Sequence, residues 1–214
     1  MEGPRFGELR QRMPAAARRS QLLEVALERF AAGGYHDTSM EEIADAAGVT
    51  KPVLYQHFHS KQELFLELLD TEGRELLDDV AARAAAETHP YQRVLGGFRA
   101  YFDFVCKRTS AFQLLFGSGA RLADEFADSV RRLEEGIAMV IAHFIDADID
   151  DEHRSLLGYA IVGLGEVAGR RWVAGRDNDT LDPGEADVLA TRLADLVWAG
   201  LRGLPRESDA GTSS

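Results

Sequence analysis

The sequence has a single cysteine, Cys106, and no long apolar run. One cysteine cannot form an intramolecular disulfide or a thiolate metal cluster, which fits a reducing compartment. The most apolar charge-free stretch, residues 156–165, is far shorter than the roughly 20 residues of a membrane span, so we expect no membrane partner. Residues 1–6 also lack the apolar segment of a secretory signal. These absences predict a cytoplasmic protein.

Signatures of catalysis are equally scarce, since the chain contains no nucleophile-elbow, Walker or dinucleotide-binding motif. Two groups of candidate metal ligands remain, the acidic run 146–152 and the set His57, His59 and Glu63. The histidines lie on opposite sides of a turn, and the acidic run lacks the glycine and glutamate that a calcium loop needs at its sixth and twelfth positions. We therefore expect a protein that is not an enzyme and holds no metal or cofactor, and a metal-dependent enzyme is kept only as the alternative.

The net charge is −12, from 24 Lys and Arg against 36 Asp and Glu, which by itself argues against a nucleic-acid partner. The distribution of charge weakens that inference. Residues 1–62 hold eight basic and eight acidic side chains, so residues 63–214 carry the whole negative excess. The first twenty residues carry +3, with five arginines against Glu2 and Glu8. This asymmetry points to the N-terminal segment as the part that could meet nucleic acid.

Almost every segment has the period of an amphipathic helix, and no alternation is long enough for a strand. The pattern predicts an all-α protein of about nine helices. We expect a flexible basic arm over residues 1–17, a helix-turn-helix domain over 18–62, a ligand-binding and dimerisation domain over 63–204 and a disordered tail over 205–214. Residues 18–62 are called the head below, and residues 63–204 the body.

The head contains a two-turn helix, a glycine turn and a second short helix, the arrangement that places a reading helix in the DNA major groove. The turn covers residues 47–50 and the reading helix residues 51–58. Leu54 and Phe58 are spaced for burial on one face. The residues left outside are Lys51, Tyr55 and His57.

Hydroxyl groups stand where the short helices begin, at Thr38, Ser39 and Thr50. The free N–H groups and the dipole of a helix N-terminus favour an anion such as a DNA phosphate. Lys61, just after the reading helix, can neutralise another phosphate. The same hydroxyls would cap helices in any helical protein, so a capping role stays open.

Several short segments of the chain form a specific pattern: Phe30–Gly34, Thr38-Ser39, Ile43-Ala44, Ala47-Gly48-Val49, Leu54-Tyr55, Phe58 and Ser60-Lys61. In this combination the first 70 or so residues resemble the TetR family of transcription regulators. The resemblance implies an N-terminal three-helix DNA-binding head, an all-helical effector-binding body and a homodimer joined mainly through the last two long helices.

When the family's contact positions are transferred to this sequence, the resemblance implies two sets of contacts with double-stranded DNA. Phosphates would be contacted by Thr38, Ser39, Thr50, Tyr55, His57 and Lys61. Base edges would be faced by Lys51, Pro52, Val53 and Gln56. Pro52 stands where the family often has glycine or another small residue, and any base contact there is apolar. The upstream arginines form either a solvated arm or an arm entering the minor groove: Arg5, Arg10, Arg12, Arg18 and Arg19.

The centre of the body is rich in aromatic residues, which an apolar effector cavity needs together with a few polar groups. The candidate lining residues are Phe98, Phe102, Phe112, Phe116, His143 and Tyr159. Four segments are similar to a TetR subgroup that controls fatty-acid metabolism and senses long-chain acyl-CoA: Lys51–Phe58, Tyr101-Phe102-Asp103-Phe104, Phe112–Phe116 and Arg171-Trp172. This second resemblance implies an apolar effector, an acyl-CoA or another lipid.

One predicted helix of the body carries four glycines, at Gly158, Gly163, Gly165 and Gly169. Glycine costs about 1 kcal/mol relative to alanine inside a helix, so we expect close helix packing there, at a dimer interface. The apolar final helix suits a four-helix dimer bundle, with burial inside one subunit as the alternative. Glu166 and Arg170 have the spacing of a surface or interface pair, which we expect in preference to a ligand anchor.

The sequence therefore predicts a ligand-responsive regulator, by default a repressor, that binds a palindromic operator as a homodimer. Its two reading helices would enter successive major grooves. Two alternatives stay open: an orphan regulator without a small-molecule effector, and an effector that promotes DNA binding instead of relieving repression.

Overall fold

The computed structural model describes residues 13–117, 124–174, 176 and 181–205. Most of the predicted arm and tail lies outside these residues. Within them the chain forms nine helices and no strand, which confirms the all-α prediction. The helices are α1 (Ala15–Asp37), α2 (Met40–Ala46), α3 (Lys51–His57), α4 (Lys61–Ala85), α5 (Pro90–Lys107), α6 (Thr109–Phe116), α7 (Asp124–His143), α8 (Asp151–Val173) and α9 (Pro183–Leu201). None of these nine is long and apolar enough to cross a membrane.

Side chains close in the sequence cap the N-termini of several helices and so determine where these helices begin. At α2 the Ser39 hydroxyl accepts a hydrogen bond from the Glu42 N–H at 3.2 Å, and the Glu42 carboxylate accepts one from the Ser39 N–H at 2.7 Å. The Ser60 hydroxyl begins α4 by accepting from the Glu63 N–H at 3.0 Å. Pro52 lies in the first turn of α3, where its missing N–H costs no hydrogen bond.

The head packs α1, α2 and α3 around a small apolar core. Its fully buried members are Leu22, Ala26, Ile43, Leu54 and Phe58. Gly34 has a φ of +77° and kinks α1 just before its last three residues. Only glycine adopts this conformation without strain, so the predicted glycine stop appears as a kink followed by one further short turn.

Head and body share an aromatic contact, called here the junction cluster: Phe30, Tyr35, Phe65 and Phe126. Phe126, in the first turn of α7, is fully buried, with its ring centroid 4.6 Å from that of Tyr35 and 4.4 Å from that of Phe65. Phe65 meets Phe30 edge to face at 5.0 Å. Aromatic pairs at these separations attract each other beyond the effect of area burial, so α7 helps to hold the core of the head together.

The body places α5 against α4 and α9, and α7 against α8. Three glycines of α8 serve packing inside the subunit: Gly158, Gly165 and Gly169. A Cβ atom on Gly158 would overlap the Ala138 carbonyl oxygen of α7, and one on Gly169 would press on Phe112. The expectation that these glycines serve a dimer interface is therefore corrected for three of the four. Gly163 faces open space.

Candidate functional site

The helix-turn-helix consists of α2 and α3, joined through Gly48. Gly48 has a φ of +64°, in the left-handed region that glycine reaches without strain. The N–H of Gly48 donates to the Asp45 carbonyl and that of Val49 to the Ala44 carbonyl, both at 3.0 Å, which closes the turn. Leu54 anchors α3 in the core with no exposed surface. This anchor fixes which side of α3 faces away from the protein.

The outward side of α3 carries most of the side chains predicted to contact DNA. Those exposed are Lys51, Pro52, Tyr55 and Gln56, and those half-buried are Val53 and His57. Tyr55 is 39% exposed and can present its ring and hydroxyl to a partner. The Lys51 ammonium lies 3.7 Å from the Glu41 carboxylate, an exposed pair of small energetic value that a phosphate or base can replace.

Two exposed hydroxyls stand at the helix starts of the head. Thr50 occupies the N-cap of α3 but forms no side-chain capping bond, so its hydroxyl is available to a phosphate. Ser39 is exposed as well, although it is engaged in the capping box of α2. The hydrogen bonds from the backbone and side chain of Ser39 lower the pKa of Glu42, which keeps that carboxylate charged beside the proposed DNA surface.

Thr38 and Lys61 make internal contacts, and the expectation that they contact phosphates is corrected. Thr38 is only 5% exposed, and its hydroxyl donates to the carbonyls of Gly34 at 2.8 Å and Arg29 at 3.2 Å. The Lys61 ammonium donates to the carbonyls of Tyr35, His36 and Thr38 at 2.8, 3.3 and 3.0 Å. It also lies 4.4 Å from the centroid of the Tyr35 ring. Both side chains hold the end of α1 in place.

Arg19 is one of the arginines expected in the basic arm, but it lies in α1 and is bound to α3 and α4. Its guanidinium forms a two-bond ion pair with Glu67 of α4 and donates to the His57 carbonyl at the end of α3. The partners lie 48 and 38 residues away in sequence, so no local pattern could reveal these contacts.

A cavity of about 90 Å³ lies in the body between α4, α5, α7 and α8. Its walls are almost wholly apolar, and they include Val80, Phe98, Tyr101, Phe116, Ile137, Ile141, Phe144, Ile161 and Val162. Apolar walls of this kind suit a hydrocarbon ligand. The volume is well below the 300–1,000 Å³ that is usual for ligand pockets, so a long ligand must push the helices apart to enter.

Only two of the six predicted lining residues are on the cavity wall, Phe98 and Phe116. Phe102 and Phe112 are buried in the core and are not on the cavity wall, although the Phe112 ring packs against Phe116, which is. His143 and Tyr159 are exposed on the surface, so the expectation that they line the cavity is corrected. Sequence reasoning missed the walls that α4 and α7 provide, because an aliphatic residue lining a gap has the same helical spacing as one in the core.

Three polar side chains border this apolar cavity: Arg93, Tyr101 and Glu166. Glu166 is 6% exposed and forms an ion pair with Arg170, one turn further along α8. The expectation of a surface or interface pair is corrected, since the carboxylate is buried beside the cavity. The Arg93 guanidinium lies 5.8 Å from the Phe144 ring centroid. A positive charge at the edge of the cavity can bind the anionic end of an apolar ligand.

The candidate metal ligands do not come together. The Glu63 carboxylate accepts the backbone N–H of His59 at 2.7 Å and serves helix capping. Among the described residues, no group of three His, Cys, Asp or Glu side chains is placed to hold a metal ion.

Comparison with known proteins assigns both the head and the chain as a whole to the same protein family. A family model described as Bacterial regulatory proteins, tetR family, matches residues 22–68. The HTH-type transcriptional activator FasR of Mycolicibacterium smegmatis is 33% identical over 196 residues, which cover 91% of this chain and 87% of FasR.

Solved structures share the architecture. A TetR-like transcriptional regulator from Rhodococcus sp. RHA1 has a TM-score of 0.74 and 30% identity, covering 90% of this chain and 100% of that one. FadR of Bacillus subtilis, solved in complex with stearoyl-CoA, has a TM-score of 0.72 and 16% identity, covering 85% of this chain and 98% of that one. At 16% identity this second likeness shows the fold alone.

Proposed function

Because the chain belongs to the tetR family of bacterial regulatory proteins, and is therefore a DNA-binding transcription regulator and not an enzyme, we propose that it binds a near-palindromic operator as a homodimer. The observation that carries the proposal is α3, which is anchored by Leu54 and presents an exposed row of polar and basic side chains. Two such helices in a dimer would enter successive major grooves.

The proposed contacts separate by chemistry. Lys51 and Gln56 would read base edges, and Pro52 and Val53 would make apolar contacts such as those with a thymine methyl. Phosphates would be contacted by Ser39, Thr50, Tyr55 and His57. Thr38 and Lys61 are left out of this set because their polar atoms bind the backbone of the head.

The proposed dimer uses the outer faces of α8 and α9. Large apolar side chains stay exposed there in one subunit: Leu156, Leu164, Val167, Val188 and Leu196. On α8 the exposed or half-exposed positions 156, 160, 163 and 167 recur with helical spacing, and Gly163 leaves room for a close neighbour. Two α8–α9 pairs would bury these faces in a four-helix bundle.

The proposed effector is an apolar molecule with an anionic end, such as a long-chain acyl-CoA or another lipid. The apolar cavity and the Arg93 guanidinium at its border support this class. FadR of B. subtilis, which shares the fold, was solved with stearoyl-CoA. Such a chain exceeds the present cavity, so its entry would displace the walls.

Besides α4, which carries both Val80 of the cavity wall and Phe65 of the junction cluster, two helices connect the cavity to the head. Phe116 of α6 lines the cavity, while Ser110 of the same helix binds Glu28 of α1. Ile137 of α7 lines the cavity, while Phe126 of the same helix belongs to the junction cluster. Relief of repression by the effector is the proposed default, and a coupling of about 3 kcal/mol would change operator affinity about 150-fold.

Selection of bound duplexes from a random DNA library tests the proposal directly, because a dimer should recover an inverted repeat. Lys51→Ala and Tyr55→Ala should weaken binding to the recovered duplex while the protein stays folded. Lys51→Ala should also change base preference, whereas Arg131→Ala, which removes an exposed charge from α7, should change neither. Recovery of no preferred sequence would refute the proposal.

A melting experiment tests the effector class separately. Stearoyl-CoA at about 100 times its Kd should stabilise the native protein by about 2.7 kcal/mol, whereas coenzyme A without an acyl chain should give a much smaller effect. Val162→Phe, which fills the cavity, should reduce the stabilisation, and Tyr159→Phe on the surface should not. Equal shifts with both compounds would argue against an apolar effector.

A further inference from the structure

The Arg19 guanidinium uses all three of its nitrogen atoms in hydrogen bonds to α3 and α4. Its Nε donates to Glu67 Oε1 at 2.9 Å and its Nη2 donates to Oε2 of the same carboxylate. Its Nη1 donates to the main-chain carbonyl of His57. The central carbon of the guanidinium lies over the Phe58 ring, 4.2 Å from the ring centroid.

These contacts join three helices at one point. Arg19 belongs to α1, the His57 carbonyl ends α3 and Glu67 lies in the second turn of α4. The last carbonyls of a helix have no partner inside it, and a positive charge is favourable at that end. A planar fork can bind both oxygens of a carboxylate through two nitrogens and a carbonyl through the third, a bidentate geometry that the point charge of a lysine ammonium does not reproduce.

We propose that Arg19, held by Glu67, is the positioning residue that fixes the direction of the reading helix and makes no phosphate contact of its own. The inference rests on the proposed reading of DNA by α3. Leu54 anchors the middle of α3, and Arg19 fixes its carboxyl end. Because α3 is only about 10 Å long, a small rotation about Leu54 displaces Lys51 at the other end from its base.

The two possible roles of Arg19 predict opposite results for changes of charge. If Arg19 bound a phosphate, Arg19→Lys would keep that contact, and Glu67→Gln would strengthen DNA binding by removing a negative charge. If Arg19 positions α3, both substitutions break the shared contact and weaken specific binding. Glu67→Gln keeps the shape of the side chain and removes its charge and one of the two acceptor oxygens that Arg19 uses.

The experiment measures the affinity of each full-length variant for the selected operator duplex and for a shuffled duplex of equal length, over a range of salt. We expect Arg19→Lys and Glu67→Gln each to lower operator affinity about tenfold and to leave affinity for the shuffled duplex within about twofold of wild type. The double variant should be no weaker than the weaker single variant.

Three results would overturn the inference: wild-type operator affinity in Arg19→Lys, tighter binding in Glu67→Gln, or an equal loss on both duplexes, which indicates general destabilisation. Circular dichroism and the molecular mass at the assay temperature monitor the fold of each variant. A wild-type protein without any preferred sequence would instead refute the proposed function, and the inference with it.

Discussion

Ser110 and Glu28 join the body to the head, because the Ser110 hydroxyl donates a hydrogen bond of 3.1 Å to the Glu28 carboxylate. Ser110 lies in the first turn of α6, and Phe116 at the other end of that helix is on the cavity wall. A ligand that moves Phe116 therefore moves a helix that is bonded to α1.

Ser110→Ala should weaken the response to ligand. Loss of about 1 kcal/mol from this hydrogen bond would reduce the effect of ligand on operator affinity about fivefold, with little change in the ligand-free affinity. Fluorescence anisotropy with and without stearoyl-CoA measures the ratio of the two operator Kd values. Ser129→Ala, which removes a surface contact with Arg132, should retain the wild-type ratio. An unchanged ratio in Ser110→Ala would assign the coupling to other contacts.

Arg108→Ala should destabilise the fold strongly. Glu72 of α4 is 4% exposed and accepts hydrogen bonds from Arg108 at the corner between α5 and α6, at 3.0 Å from Nε and 2.6 Å from Nη2. Glu72 raises the pKa of Arg108, so the guanidinium stays charged at every working pH.

Removal of Arg108 leaves a buried carboxylate unpaired, which should cost about 2–3 kcal/mol after allowance for the partial exposure of the arginine. Urea denaturation measures the loss. Arg74→Ala, which breaks the exposed pair with Asp70, should cost less than about 0.5 kcal/mol. Similar losses of unfolding free energy in Arg108→Ala and Arg74→Ala would contradict the claim that the buried ion pair stabilises the fold more than the exposed one.

Gly158→Ala should lower stability despite the higher helix propensity of alanine. The added Cβ would overlap the Ala138 carbonyl oxygen, and backbone atoms can move aside only if α7 and α8 separate, at a cost of about 1–3 kcal/mol. The matched control is Gly136→Ala in α7, whose Cβ would lie at an ordinary 3.5 Å from Leu77. The melting temperature should rise or stay level for Gly136→Ala. A higher melting temperature for Gly158→Ala would disprove the close contact between α7 and α8.

Cys106 should react slowly with alkylating agents. Burial, and then the nearby charge of Asp103, raises the pKa of the thiol, which also lies 3.5 Å from the Leu181 carbonyl oxygen. At pH 8 less thiolate is present than for an ordinary thiol of pKa about 8.5, so iodoacetamide should modify the native protein more slowly than the protein in urea.

The thiol also affects stability at alkaline pH. The thiol has a higher pKa in the folded protein than in the unfolded chain. The stability that it contributes is therefore complete at a pH below the pKa of the unfolded chain, and it is lost as the pH rises through the pKa of the folded protein. Cys106→Ser should remove this part of the alkaline decline in melting temperature. An identical pH profile would show that the thiol stays protonated in both states over the range measured.

Charges on the outer faces of α8 and α9 should separate the subunits. Val167 and Leu196 are each 59% exposed, and Val167→Arg or Leu196→Arg would place a charge in the proposed four-helix interface. Light scattering after size-exclusion chromatography should give the mass of a monomer for these variants and of a dimer for wild type. Ala85→Arg on exposed α4 surface should remain dimeric. If the Val167→Arg and Leu196→Arg variants remained dimeric, the dimer interface would have to lie on another surface.

Local chemistry explains what the sequence could predict. The capping box of Ser39 and Glu42 and the proline at position 52 determine helix starts within four residues of chain, so the limits of α2 and α3 follow from the sequence. The spacing of Leu54 and Phe58 likewise identifies the buried side of the reading helix.

Contacts across the chain explain what the sequence could not predict. Lys61 looks like a free cation until its ammonium is found among carbonyls 23–26 residues away. Phe98 and Phe102 are one turn apart in α5, and only the placement of α7 and α8 decides that the first borders the cavity and the second the solid core. The expectation that His143 and Tyr159 line the cavity is wrong for the same reason, since the packing of α7 and α8 leaves both side chains on the surface.

The junction cluster limits how this protein can be re-engineered. A chimera that replaced residues 18–62 with the corresponding segment of another regulator would present new side chains to Phe65 and Phe126 in place of Phe30 and Tyr35. Unless the donor supplies rings at both positions, the transplanted segment would lose its packing against α7. We therefore expect substitutions on the outer side of α3 to be the safer way to exchange operator preference, and a whole-segment exchange from a donor without these rings to need a redesigned Phe126 contact.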